Sequence, residues 1–347
     1  MKKIIMITPF KGPLNGVKVL SKQIADRFLE LENYKIKLID TAQAKTPEDF
    51  GKFNLKKFKE LATLYRELRN IEADDYVYMN FSPRGFAFYR DYLMLFYVLY
   101  KTQNVTIHLH ANGLEKKRKY FSGKRFSKIR CIVITQNQLQ KLTFFNDRFL
   151  LPNALMDYYN GNFEIEKEKR KTKVLFFSNL SKSKGTQSLY EFCSYCTEYN
   201  KDVEITICGG VLDVFSQNKM EQIKALDNKN IHILDPITDP DQKMKLFEKN
   251  HFLLFLSKPF YEVYPLVYIE ALMSGLSVIT TPQYVSPEVI SGNTGVLFTT
   301  SEAAIRFIEN NKNDLTALCM ANRIKFEQFY DFENYFIKLK KFILNAD

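Results

Sequence analysis

The chain has 347 residues, 46% of them hydrophobic and 26% charged, with a formal net charge of +11. That apolar share excludes general disorder, and the length favours two domains over one. The charge is uneven: residues 1–170 hold 31 Lys+Arg against 18 Asp+Glu, and residues 171–347 hold 19 against 21. A basic first half suits an anionic partner (a membrane surface, an acidic glycan or a nucleic acid) or equally a plain lysine-rich surface.

The start, MKKIIMITPF, is basic and then apolar. The apolar run is short and lacks a small-residue cleavage site, so it reads as a buried first strand rather than a signal peptide. Further strands are expected at 35–40 (KIKLID), 76–81 (YVYMNF), 105–110 (VTIHLH) and 131–135 (CIVIT). Helical spacing fills 19–31 and 58–71 between them. The apolar stretch Tyr92 to Tyr100 falls well short of the ~20 residues that span a bilayer. The segment KKRKYFSGKRFSKIR, 116–130, mixes basic and aromatic residues and reads first as a solvated helix, with an anionic membrane or RNA as alternatives. A charged linker is expected at 161–173. Strands then recur at 174–178, 203–208, 230–234, 251–257 and 276–281, again alternating with helical segments. Apolar strands alternating with helices imply parallel sheets covered on both faces, and two such sets imply two doubly wound α/β domains facing a central cleft. We expect residues 1–160 in the first, with a C-terminal helix over about 326–347 crossing back to it, and 161–325 in the second. A cytoplasmic protein, peripheral at a membrane, follows from this reading.

Cys193 and Cys196 form a C-x-x-C with no second pair to complete a zinc site, and their helical spacing marks them as packing residues. His108 and His110 lie two apart on one strand face, but no carboxylate companion is evident, so no metal site is expected; His110, at the strand end, is the better site candidate. Asp239-Pro240-Asp241 forms a D-x-D, which its loop position argues against as a metal motif. The G-x-G-x-x-G of a dinucleotide oxidoreductase is missing after the first strand.

The segment SKPFYEVYPLVYIEALMSGLSVIT, 257–280, carries most of the functional argument. Pro265 sits at a helix start and Gly275 at its end. The N–H groups near Leu266 and Val267, with the positive end of the helix dipole, suit a diphosphate. Glu270 lies about one turn in, where a carboxylate accepts hydrogen bonds from vicinal hydroxyls such as those of a ribose, and Glu262 lies on the preceding loop.

This segment resembles the retaining family-4 glycosyltransferases of GT-B fold. Their two glutamates, E-A-x-x-x-G and following strand are matched by Glu262, Glu270, Ala271 and Gly275, while Val263 replaces a common glycine. The resemblance implies that Glu270 holds the donor ribose and Glu262 the donor sugar or reacting centre. VLFFSNLSKSKGTQSLYEF, 174–192, is similar to the family's strand, lysine-glycine and helix segment, which implies that Lys184, before Gly185, contacts the donor diphosphate. Asn179 stands where many relatives carry arginine, and Lys182 is a candidate replacement. Gly209-Gly210 is similar to the family's glycine turn, Pro236-Ile237 to the loop that holds the nucleobase, Asn15-Gly16 to the Gly-rich loop of the first domain, and PNAL, 152–155, to a segment near the linker. These matches imply a metal-independent retaining transferase with a UDP- or GDP-linked sugar donor and a glycan or lipid-linked acceptor, in surface polysaccharide or glycolipid synthesis. No cofactor is expected. A GT-B hydrolase or epimerase acting on a nucleotide sugar stays as an alternative, as does a non-catalytic RNA- or membrane-binding module, with nucleic acid the less expected partner.

Overall fold

A computed structural model describes residues 2–12, 15–42, 56–159, 171–200, 202–258, 262–282, 290 and 295–344, with side chains from residue 62 in the helix at 56–68. Residues 161–170 of the expected linker lie outside the described residues, as do Pro13, Leu14 and 259–261. The chain forms two compact units, Met1–Met156 with Phe332–Asp347, and Asp157–Asp331.

The first unit contains β1 (Lys3–Thr8), α1 (Gly16–Leu29), β2 (Lys35–Asp40), α2 (Lys56–Leu68), β3 (Tyr76–Asn80), α3 (Gly85–Lys101), β4 (Val105–Leu109), β5 (Arg130–Val133), α4 (Gln136–Lys141) and β6 (Asp147–Leu150). All pairings are parallel, in the order β2-β1-β3-β4-β5-β6. Strand alternation sends Ile5, Ile7, Val77, Met79 and Ile107 to a core under α2 and α3. Ile4, Met6, Tyr78 and Ile132 go to a second core under α1, shared with Phe332, Phe336 and Leu339 of the C-terminal helix Phe332–Leu344. That helix is fixed to its own unit by Arg130, whose guanidinium donates to the carbonyls of Phe342 (2.5 Å) and Ile343 (2.8 Å).

The second unit contains β7 (Thr172–Phe177), α5 (Thr186–Tyr199), β8 (Val203–Cys208), α6 (Val214–Lys224), β9 (Ile231–Leu234), α7 (Pro240–Glu248), β10 (Phe252–Phe255), α8 (Leu266–Met273), β11 (Ser277–Thr280), β12 (Gly295–Leu297), α9 (Ser301–Asn311) and α10 (Leu315–Phe329). Its sheet is also parallel throughout, in the order β12-β11-β10-β7-β8-β9. From β7 the strands run outward one way to β9, and from β10 the other way to β12. The order therefore reverses between β7 and β10, the place where an open parallel sheet leaves a crevice beyond its strand ends.

Several helix starts are set by side chains. Asn15 caps α1 by accepting from the Lys18 N–H (3.1 Å), Asp213 caps α6 through Ser216 (2.7 Å), and Asp239 caps α7 through Gln242 (2.9 Å), with Pro240 opening the helix. The D-x-D is thus a helix cap. The 116–130 segment differs from the single helix expected. It forms two 3-10 stretches, Leu114–Phe121 and Lys124–Lys128, because Phe121 and Phe126 both turn into the core and Gly123 separates them.

Gly275 ends α8 as expected, with φ +79°. Its N–H reaches the Leu272 carbonyl and the Leu276 N–H reaches that of Ala271, closing a Schellman motif. A Cβ there would lie 2.2 Å from Cys319 Sγ, so glycine is required by conformation and by space. Gly275→Ala should lower stability by about 1–3 kcal/mol, read as a fall in urea midpoint at unchanged m-value. An unchanged midpoint would refute this account of the turn.

Candidate active site

The loops beyond β7 and β10 meet across the strand reversal. After β7 the chain makes a 3-10 turn, Lys182–Lys184, and enters α5 through Gly185 at φ +82°. A Cβ on Gly185 would lie 2.2 Å from the Leu256 carbonyl, so the absence of a side chain lets this turn press against the end of β10. The Lys258 N–H donates to the Ser183 carbonyl (2.9 Å), tying the two loops together. The Lys184 ammonium then forms an ion pair with Glu262 Oε1, both side chains remaining about a quarter exposed (28% and 23%). Two residues singled out for a diphosphate and a sugar are thus in direct contact.

Helix α8 follows. Pro265 is its N-cap rather than its first helical residue, and it offers no side-chain capping bond. Its start, at half-buried Leu266 and Val267, is left with backbone donors and the dipole. Glu270, one turn on, is buried (8% exposed) and already partnered. The Tyr158 hydroxyl donates to Oε1 (3.3 Å) and the Lys243 ammonium lies 2.5 Å from Oε2. Tyr158 keeps its proton, because burial and the neighbouring Glu270 charge push its pKa up. Lys243, on α7, stands 5.0 Å above the Phe177 ring at the end of β7 and 5.6 Å above Phe247. Neither Tyr158 nor Lys243 is marked in the sequence: each sits in an ordinary polar stretch, and only the fold brings them to Glu270.

A third group gathers at the ends of β7, β8 and β9. Gly209 has φ +158°, and a Cβ on it would lie 1.9 Å from the Ser178 carbonyl. A Cβ on Gly210 would lie 3.4 Å from Pro236 and 3.5 Å from Asn179 Oδ1. Asn179, the glycine turn and the 236–237 loop are therefore neighbours. The Cys208 thiol donates to the Asp235 carbonyl (3.3 Å), and the Ile237 N–H is engaged by the same sulfur, so this loop is fixed from beneath. Lys182 is exposed, its N–H bonded to Asp213 and its ammonium 5.5 Å from the Phe215 ring.

In the first unit, Gly16 is the exposed first residue of α1, not a loop residue, and Asn15 is committed to capping. His110 follows β4. Its ring centroid is 4.0 Å from that of buried His108, whose Nδ1 meets the Tyr78 hydroxyl at 2.7 Å. Asn153 of PNAL hydrogen-bonds His110. Burial lowers the His110 pKa to about 4 against that bond, so the ring is neutral near pH 7. All five cysteines are buried free thiols; burial and Cys196 raise the Cys193 pKa, and burial raises that of Cys196 to about 12, so the C-x-x-C packs rather than reacts.

Residues 160–319 match the family glycosyl transferases group 1. Solved structures similar to the whole chain include a glycosyltransferase from Rickettsia africae, 17% identical with a TM-score of 0.72 over 100% of this chain and 99% of that one. HepE from Anabaena, in complex with UDP, is 15% identical with a TM-score of 0.70 over all of both chains. WaaG, a glycosyltransferase involved in lipopolysaccharide biosynthesis, is 14% identical with a TM-score of 0.65, again over both chains entirely. No curated protein matches the chain. The two parallel six-stranded sheets are those of the GT-B fold.

The histidines give a pH dependence. His110 and His251 are both lowered to about 4, His251 by burial and then by Lys173. The unfolded chain therefore binds more protons between about pH 6.5 and 4, and this contribution to stability is complete above that window and lost as pH falls through it. The melting temperature should fall from pH 7 to pH 5, less steeply in His251→Asn; identical slopes would remove His251 from the account.

Proposed function

We propose that the protein transfers a sugar from a nucleoside-diphosphate donor, bound by the second unit, to a hydroxyl of a glycan or lipid-linked acceptor, bound by the first, with retention of anomeric configuration and without a metal ion. The family match and the fold support nucleotide-sugar glycosyl transfer in general. The observation that carries the finer reading is the Lys184–Glu262 pair at the strand reversal, beside a helix start whose N-cap, Pro265, makes no side-chain capping bond.

In this reading the diphosphate sits at the Leu266 and Val267 N–H groups and draws Lys184 toward it. Both stabilise the negative charge that grows as the bond from the anomeric carbon to the phosphate oxygen breaks. They supply the positive charge that a divalent ion supplies elsewhere, which is why none is invoked. The acceptor oxygen bonds to the anomeric carbon on the same face, and its proton passes to the departing phosphate oxygen. Glu262, released from Lys184 by the diphosphate, faces the donor sugar. Glu270 takes the ribose hydroxyls on lone pairs left over after Tyr158 and Lys243, since each carboxylate oxygen accepts twice. Gly209, Asn179 and Ile237 line the nucleotide with backbone and amide groups. Neutral His110 and the Gly16 backbone at the α1 start serve as hydrogen-bonding groups in the first unit. HepE is solved with UDP and with UDP-glucose, which supports a nucleotide-sugar donor, here UDP- or GDP-linked, and WaaG's role supports a surface polysaccharide or glycolipid product.

Thermal shift with UDP, UDP-glucose, GDP and GDP-mannose tests the donor site. One or more should raise the melting temperature in proportion to the logarithm of concentration over Kd. Lys184→Gln should weaken that nucleotide by about tenfold or more, the worth of one charge-assisted bond. If no nucleotide at millimolar concentration shifts the protein, the donor assignment fails; an inverted anomeric configuration in the product, read by NMR, would overturn retention alone.

A further inference from the structure

Helix α3 is apolar on both faces: Phe88, Met94, Leu95, Val98 and Leu99 are buried in the core, and further large apolar side chains face outward. Its two interior charges, Arg90 and Asp91, are buried and bonded to each other (2.7 Å). Arg90 also donates to the Thr41 carbonyl (2.9 Å), and Asp91 accepts from the Ser82 N–H (2.8 Å). Beyond Gly85, the helix residues left exposed are Phe86, Tyr89, Leu93, Phe96 and Tyr100, each between 46% and 70% exposed. Their spacing of three, four, three and four residues puts them on one stripe, about 21 Å long at 1.5 Å per residue. A surface helix ordinarily carries polar residues on its outer face, and an apolar ridge of this size marks a contact surface.

The ridge is flanked by cations. The 3-10 stretches beside it hold Lys116, Lys117, Arg118, Lys119, Lys124, Arg125 and Lys128 against a single acid, Glu115. They are fastened to the helix by Tyr120, Phe121 and Phe126, which pack on Phe88 and Tyr92. Lys117 lies 4.9 Å from the Phe88 ring and 5.3 Å from Tyr89, and Arg125 lies 5.4 Å from Tyr100. The ridge and its basic border are therefore one rigid surface, and they account for much of the positive charge of the first half.

We propose that this face docks on an anionic lipid bilayer, with Phe86, Leu93 and Phe96 entering the acyl boundary, Tyr89 and Tyr100 at headgroup level, and the lysines and arginines among the lipid phosphates. Charge complementarity selects this occupant. A second copy of the same face would bring two dense cationic borders together, and RNA would leave the leucine and phenylalanine ridge wet. Each basic side chain near an anionic surface adds attraction, and aromatic side chains favour the interface. Among the described residues no helix is long and apolar enough to cross a membrane, so the contact is one of lying on the surface.

Sedimentation of the full-length protein with vesicles tests this. Vesicles of phosphatidylcholine with about 30% phosphatidylglycerol should bind it, and phosphatidylcholine alone should not. Leu93→Gln/Phe96→Gln and, separately, Lys116→Glu/Lys124→Glu should each weaken binding about tenfold or more. All four side chains are exposed, so the melting temperature and any nucleotide-induced shift should be unchanged; the membrane and donor readings therefore fail independently. The proposal is overturned if the vesicles do not bind the protein, or if both variants bind as well as wild type. It is equally overturned if the ridge variant alters only self-association in analytical ultracentrifugation, or only retention of single-stranded RNA.

Discussion

Lys184 and Glu262 stand 78 positions apart in sequence and meet because β7 and β10 are neighbours in the sheet. The adjacency is a consequence of winding a parallel sheet outward in both directions from its middle. The first strand of each half must then lie beside that of the other, and the loops leaving both strand tips must face one another. The candidate site of the second unit is built around this reversal: the lysine turn before α5, the acidic loop before α8, the glycine turn after β8 and the helix starts themselves. A different strand order would scatter the same residues around the sheet.

The strands and helices that define the fold are the parts most legible from composition, because a strand buried on both faces is written as an uninterrupted apolar run. Val174–Phe176 and Phe252–Phe255 are such runs. β6 and β12 are not expected from the sequence for the same physical reason: they are edge strands, DRFL and GVL, partly exposed and short, so they carry no continuous apolar signal. The 116–130 segment shows the opposite failure. Its basic residues suggest a solvated helix, yet two phenylalanines five residues apart, on either side of a glycine, need a backbone that turns in twice.

The site is legible to the extent that it is local. Glu270 and Gly275 can be placed because capping and helix periodicity act over a few residues. The partners of Glu270 cannot, because Tyr158 lies at the start of the unit and Lys243 on another helix, and neither has a periodicity that distinguishes it from a solvent-facing residue. The sequence also leaves Lys184 and Glu262 as separate candidates for separate parts of a ligand, whereas in the fold they neutralise each other.

That pairing and the one at Glu270 have different physical consequences. A carboxylate as enclosed as Glu270 needs positive or donating partners, and Lys243 with Tyr158 supplies them before any ligand arrives. Its geometry is thus fixed in advance, so a ribose would meet a carboxylate whose ordering cost has been met by folding. Lys184 and Glu262 are more exposed, where an ion pair is worth little, so exchanging it for a diphosphate, as proposed, would cost correspondingly little. In the proposed reading, a rigid acid deep in the helix would suit a part of the ligand that is only held, and a labile pair at its mouth a part whose charge changes during the reaction.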